Sequence, residues 1–125
     1  MVLRLGEQFL ISAEARARQG GADKLNLAIA DLDKIRLRAQ MGPLMSKYSS
    51  GITQDQLLAE IANERRHELF SEWGHRWFDL KRTGKADLVL GPLKGASWQT
   101  TDKLYPIPAA EIGRNPNLAP QNLGY

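Results

Sequence analysis

Two adjacent glycines, Gly20-Gly21, divide two stretches that each carry the apolar rhythm of a helix, and no other feature constrains the fold as much. Before the doublet, Leu3 to Gln19 holds no proline and is rich in helix formers, among them Glu7, Gln8, Ala13, Glu14, Ala15 and Ala17. Leu3, Leu5, Phe9, Leu10, Ile11, Ala13 and Ala17 give it a broad apolar face. After the doublet, Ala22 to Gln40 places Leu25, Ala28, Ile29, Leu32, Ile35 and Ala39 at the i, i+3, i+4 spacing of one buried stripe. Glycine takes positive φ without a steric penalty, so the doublet stops the first helix and turns the chain. Gly42-Pro43 ends the second. Helices joined so tightly pack against each other, which predicts an antiparallel αα-hairpin over 1–43.

Residues 44–52 read as a polar connection containing serine and glycine. A third helix opens at Thr53, whose hydroxyl can accept from the backbone three residues on while Gln56 reaches back; Ile52 is placed to staple against Leu57. The pattern carries this helix to about Trp73, with an interruption at Gly74. A short fourth helix follows from His75 to Arg82 and stops at Thr83-Gly84. Every proline but Pro43 lies at position 92 or beyond, so 85–125 is expected to be an irregular tail held by packing onto the helices. The expected fold is mainly α. A length of 125 residues suits one domain, here 1–125, divided into the hairpin (1–43), the third and fourth helices (53–84) and the tail (85–125).

Composition narrows the function classes. With 42% apolar and 25% charged residues the chain is not a disordered one. No apolar run is long enough to span a membrane. Met1 leads into an amphipathic segment and not an apolar leader, so no signal peptide is expected. The absence of cysteine removes disulfides, thiolate nucleophiles and thiolate zinc sites. The net charge of +3 comes from basic residues interleaved with acids, which argues against a nucleic-acid partner.

The third helix holds the most informative residues. On a wheel centred on Ile61, Leu57, Leu58 and Leu69 define the apolar face, and Arg65, Glu68 and Glu72 fall in the middle of it. Buried charges cost several kcal/mol, roughly, unless paired and hydrogen-bonded. The spacings offer pairs: Arg65 with Glu68, Glu72 with Arg76, and Arg76 with Asp79. The expectation is a structural ion-pair network of Arg65, Glu68, Glu72, Arg76 and Asp79. The rival reading makes Glu68 and Glu72 the carboxylate pair of a glycosidase. Arginines beside both carboxylates oppose the protonated form that a general acid needs, so no catalytic residue is assigned.

His67 and His75 are eight apart and form no H-E-x-x-H site, so no metal and no cofactor are expected. His67 falls opposite the buried face, on the solvent side. Trp73 and Trp77, among Phe70, Phe78 and Leu80, read as core beneath the tail. Trp98, in a loop of small and polar residues, is the one candidate for stacking on a sugar ring, although a plug holding the loop is the preferred reading.

The run ERRHELFSEWGHRWFDLKRTGKAD, Glu64 to Asp87, resembles the signature of the SusD/RagB family. Leu10 to Gln40 is similar to that family's last helical pair, and LYPIPAAEIGRNPNLAPQNLGY, Leu104 to Tyr125, to its C-terminal tail; Leu123 stands where a proline is common. The resemblance implies a tetratricopeptide-like hairpin and the C-terminal portion of a longer protein. Members are outer-membrane, cell-surface lipoproteins of Bacteroidetes that bind glycans or other nutrients without cleaving them, together with a SusC-like TonB-dependent transporter. The implied ligand is a polysaccharide or oligosaccharide, and the implied membrane attachment is a lipid anchor outside this chain. Arg65, Glu68, Arg76, Trp77 and Asp79 match the family's most recognisable motif, read as architectural. No binding residue is carried over, because much of the family's ligand surface lies upstream. The alternative to nutrient binding is a protein–protein docking module with no ligand of its own.

Overall fold

The computed structural model describes residues 4–48 and 50–125. The expected start of the first helix at Leu3, and Ser49 in the connection, lie outside the described residues. The fold is mainly α, with no strand among the described residues. Among the described residues six helices follow in order: α1 Leu5–Gln19, α2 Ala22–Arg38, α3 Gln54–Glu68, α4 His75–Arg82, α5 Ala86–Lys94 and α6 Ala109–Arg114. The chain divides into two compact units, 1–75 and 76–125.

The first unit is built from α1, α2, a 3-10 turn at Leu44–Ser46, and α3. Gly20 and Gly21 take φ of 72° and 82°, so the doublet makes the turn the sequence required of it. Leu10, Ala13 and Ala17 of α1 close a core with Ala28, Leu32 and Ile35 of α2, Leu44 of the turn, and Leu57 and Ile61 of α3. The alanines of α1 let the helices approach closely, while the leucines and isoleucines fill the space between them. Thr53 and Gln56 form the expected capping box: the Thr53 hydroxyl accepts from the Gln56 backbone at 3.2 Å, and Gln56 Oε1 accepts from the Thr53 backbone at 2.9 Å. Gln54 Nε2 donates to the carbonyl of Ala17 at 2.8 Å, joining the Gly20 N–H on a carbonyl of the last turn of α1.

Helix α3 ends five residues before the expected Trp73. The Leu69 backbone closes onto the carbonyls of Arg65 and His67, and the chain then turns with positive φ at Ser71 (59°), Trp73 (45°) and Gly74 (71°). Glu72 is therefore in a turn and not on the helix wheel where periodicity put it. Of the residues expected to be core, Phe70 and Trp73 in this turn and Phe78 in α4 are instead 77%, 68% and 59% exposed, while Trp77 is half-buried. In this segment the buried side chains are Leu69 and Leu80.

The second unit is more regular than the expected tail, because α5 and α6 form within it. Pro92 lies in α5, where it removes the N–H that would have met the Leu88 carbonyl, close to the helix end where the loss is small. Three 3-10 turns, Gly95–Ser97, Thr100–Lys103 and Pro116–Leu118, supply the remaining regular structure. The final segment is stitched by side chains. Gln121 Oε1 accepts from the Ile107 backbone at 2.7 Å and its Nε2 donates to the Ile107 carbonyl at 2.8 Å, so one amide imitates a strand neighbour. Asn122 Nδ2 and the Tyr125 hydroxyl donate to the carbonyls of Tyr105 and Leu104. At Gly124, with φ 100°, a Cβ would lie 2.7 Å from Thr101 Oγ1, so a side chain is excluded there on two counts.

Candidate functional site

Charged residues from three helices of the first unit meet at one end of its core. Arg4 precedes α1 in an extended conformation, which aims its guanidinium at the C-terminal end of α3. Its Nη2 donates to Glu68 Oε1 at 2.8 Å, and its Nη1 donates to Glu72 Oε1 and to the Glu68 carbonyl. Arg38, the last residue of α2, donates to the other Glu68 oxygen at 2.5 Å. The Glu68 side chain, 8% exposed, thus lies between an arginine just ahead of α1 and one at the end of α2. Gly6 leaves room for it: a Cβ there would stand 2.8 Å from Glu68 Oε1.

One turn away, Arg36 donates to Glu64 Oε2 at 3.3 Å, and both residues are only 8% exposed. Arg36 Nε is buried without a hydrogen-bond partner. Beside this pair opens a cleft of about 420 Å³, bounded by Arg36, Met41, Asn63, Glu64, His67 and Glu68. Its walls carry donors and acceptors, and Met41 gives it an apolar side.

Of the residues proposed from sequence, Arg65 is buried and partnered, and Glu68 and Glu72 are joined through Arg4. Arg76 and Asp79 belong to the second unit. There Arg76 is exposed, and Asp79 binds Arg82 Nε at 2.8 Å. His67 is exposed, as its wheel position required. Sequence reasoning missed Arg4, Arg36, Arg38 and Glu64. Two of these were within reach of the stripe rule: Arg36 follows Leu32 by four, and Glu64 follows Ile61 by three. Nothing local marks Arg4, whose partners lie 64 and 68 residues away.

Trp98 is tied into the second unit. Its Nε1 donates to Asp87 Oδ1 at 3.1 Å, its ring meets that of Trp77 edge-on at 6.2 Å, and Lys94 Nζ lies 5.7 Å from its centroid. Trp77 also takes the edge of Tyr105 at 6.5 Å. Lys103 at 2.6 Å holds the Asp87 carboxyl below the usual carboxylate range, against an opposing effect of burial and with help from the Trp98 hydrogen bond. These contacts make Trp98 a fastening between the loop and α5.

Two further carboxylates are held ionised in the first unit. Burial pushes Asp31 up, but the Ser12 hydroxyl, Lys34 and Arg16 together outweigh it and leave the group lowered. Glu60 behaves alike: burial raises it, and Lys47 and the Tyr48 hydroxyl bring it below its ordinary value. Among the described residues no group of three or more His, Cys, Asp or Glu side chains could hold a metal ion.

Comparison with known proteins bears on what this arrangement belongs to. The family model for the SusD family matches residues 1–125. SusD-like protein P2 of Formosa agariphila is 37% identical over 98% of this chain, which spans 25% of that protein. The starch-binding protein SusD of Bacteroides thetaiotaomicron is 33% identical over 99% of the chain, spanning 21% of that protein. SusD-like protein P38 of Formosa agariphila is 32% identical over the whole chain, spanning 24% of that protein. The chain therefore covers about a quarter of the length of the curated relatives it matches. No solved structure matches. With the signature segment, the hairpin and the tail all inside one matched span, the chain belongs to the SusD family.

Proposed function

We propose that this chain is the C-terminal portion of a cell-surface protein that binds a polysaccharide or oligosaccharide for uptake and does not cleave it. The family match along 1–125 carries the reading, and a relative named as starch-binding gives the ligand class. In this reading the protein works at the outer membrane, as a lipoprotein, with a SusC-like TonB-dependent transporter. The role of this portion is architectural: Arg4, Arg38 and Glu68 fasten α1, α2 and α3 so that the charged end of the core keeps one shape. Arg65, Glu72, Arg76 and Asp79 complete the set of charged signature residues with a structural task.

The arrangement does not favour glycoside hydrolysis by Glu68 and Glu72. Arg4 binds an oxygen of each, and Arg38 takes the second oxygen of Glu68, where an acid and a nucleophile would need to face a substrate. Incubation with starch and other glycans should release no reducing ends. Turnover abolished by Glu68→Gln would overturn the non-catalytic reading. For the cellular role, fractionation of the source bacterium should place the protein in the outer membrane and recover it with a TonB-dependent transporter. Recovery from the soluble fraction without such a partner would sink it. Docking without a glycan is the second reading, favoured by the exposed Phe70 and Trp73; it predicts transporter capture that survives loss of every sugar response.

A further inference from the structure

We propose that the cleft between α2 and α3 is a binding subsite for a neutral sugar ring, one that uses hydrogen bonds to vicinal hydroxyls in place of aromatic stacking. The inference rests on the glycan-binding reading and adds a location and a set of contacts to it.

Charge decides the ligand class. In the cleft wall Arg36 is paired with Glu64, and Glu68 is paired with Arg4 and Arg38 from outside the lining, so each of these charges already has a partner. An added anion would meet two carboxylates in the wall, and an added cation would compete with the arginines that hold them. A neutral polar molecule has neither cost. Hydroxyl groups both donate and accept, and the wall offers both functions: Glu64 accepts, while Asn63 and His67 can do either.

The Arg36–Glu64 contact is a single long bond of 3.3 Å, so it leaves Glu64 with unused acceptor capacity. Arg36 has a buried Nε with no partner, a polar group unsatisfied in this structure. Size agrees as well. A volume of 420 Å³ is that of about fourteen waters at the liquid share of ~30 Å³ each, ample for a pyranose ring. Met41 gives the apolar patch on which the C–H face of a ring can rest. With no aromatic platform, binding is weak and serves one unit of a chain held elsewhere.

The test is an NMR titration of the isotope-labelled chain with maltotriose and with laminaritriose, and with sodium acetate as the anion control. Amide shifts at 36–41 and 63–68 should saturate with at least one trisaccharide. Asn63→Ala, an exposed position, should weaken that response about fivefold, as expected for one neutral hydrogen bond. Glu64→Gln should weaken it too, with an unchanged fold by circular dichroism. Equal shifts with acetate would make the cleft an anion site and overturn the proposal. So would sugar shifts confined to residues around Trp98, a silent titration, or indifference to both substitutions. Outer-membrane recovery with a transporter, alongside a silent cleft, would remove this proposal and leave the broader reading standing.

Discussion

The two compact units are held together by different physics. Among the described residues of 1–75, nine apolar side chains from three helices and a turn form one closed core, and charged groups are paired around it. In 76–125 the buried apolar side chains are Leu80 and Ala86, while Leu88, Leu93, Leu104 and Leu123 are more than half exposed. There, order comes from edge-on aromatic contacts at Trp77 and from side chains bonded to backbone, at Ile107, Tyr105 and Leu104. Apolar burial is non-directional and tolerates small shifts, whereas hydrogen bonds fix a path residue by residue. A segment too rich in proline for long helices can still be specified by the second means.

The largest expected effect tests that contrast directly. Leu10→Ala removes a fully buried side chain of the first unit and should cost about 3 kcal/mol by chemical denaturation. Leu88→Ala, at a side chain 73% exposed, should stay within about 0.5 kcal/mol. Comparable losses at the two positions would mean that the second unit depends on apolar burial as much as the first.

Next in size is the Glu68 clamp. Glu68→Ala strips Arg4 and Arg38 of a shared partner and should cost about 2 kcal/mol; the arginines are partly exposed and can rehydrate, so the full cost of a broken buried pair is not reached. Gly6→Ala pushes a methyl against the same carboxylate and should also destabilise. In the double variant the clash has no target, so the two losses should fall short of additive by about 1 kcal/mol. Strict additivity would show that Gly6 and Glu68 do not share one space.

How much of this was readable beforehand follows the same division. The hairpin and the start of α3 were legible because their causes are local: a glycine doublet, an apolar stripe, a threonine and glutamine three apart. The end of α3 was not. Leu69 to Trp73 contains nothing that forbids a helix, and the turn there coincides with Arg4, from the far end of the sequence, binding Glu68 and Glu72. The wheel correctly placed Glu68 toward the core, but Glu72 meets Arg4 through the turn. The expectation that the last forty residues lack regular structure underrated α5, since Pro92 sits where a helix can absorb it. Likewise, reading Phe70 and Trp73 as core used residue type without the turn that exposes them.

Acid should weaken the first unit through the rim of its core. The folded-state value of Asp31 is lowered, so its contribution is complete above the unfolded value, about 3.9, and is lost as pH falls through the lower folded one. Asp31→Asn forfeits the charge-assisted bonds to Arg16 and Lys34 and should cost about 1.5 kcal/mol at neutral pH. The gap between the native chain and this variant should be flat above about pH 5 and close below about pH 4. A gap that widens on acidification would reverse the sign assigned to Asp31.

The smallest effect is the one that most sharpens the contrast. Gln121→Ala removes both bonds to the Ile107 backbone, leaving a half-buried N–H and C=O to find water. Each such neutral bond contributes about 1 kcal/mol, and partial rehydration should bring the total loss to about that figure. If hydrogen bonds hold the second unit locally, the loss should appear as faster amide exchange at Ile107 and its neighbours, with α1, α2 and α3 unaffected. Faster exchange spread evenly through the core of the first unit would instead show that both units open together, and the physical difference between them would then be one of composition and not of stability.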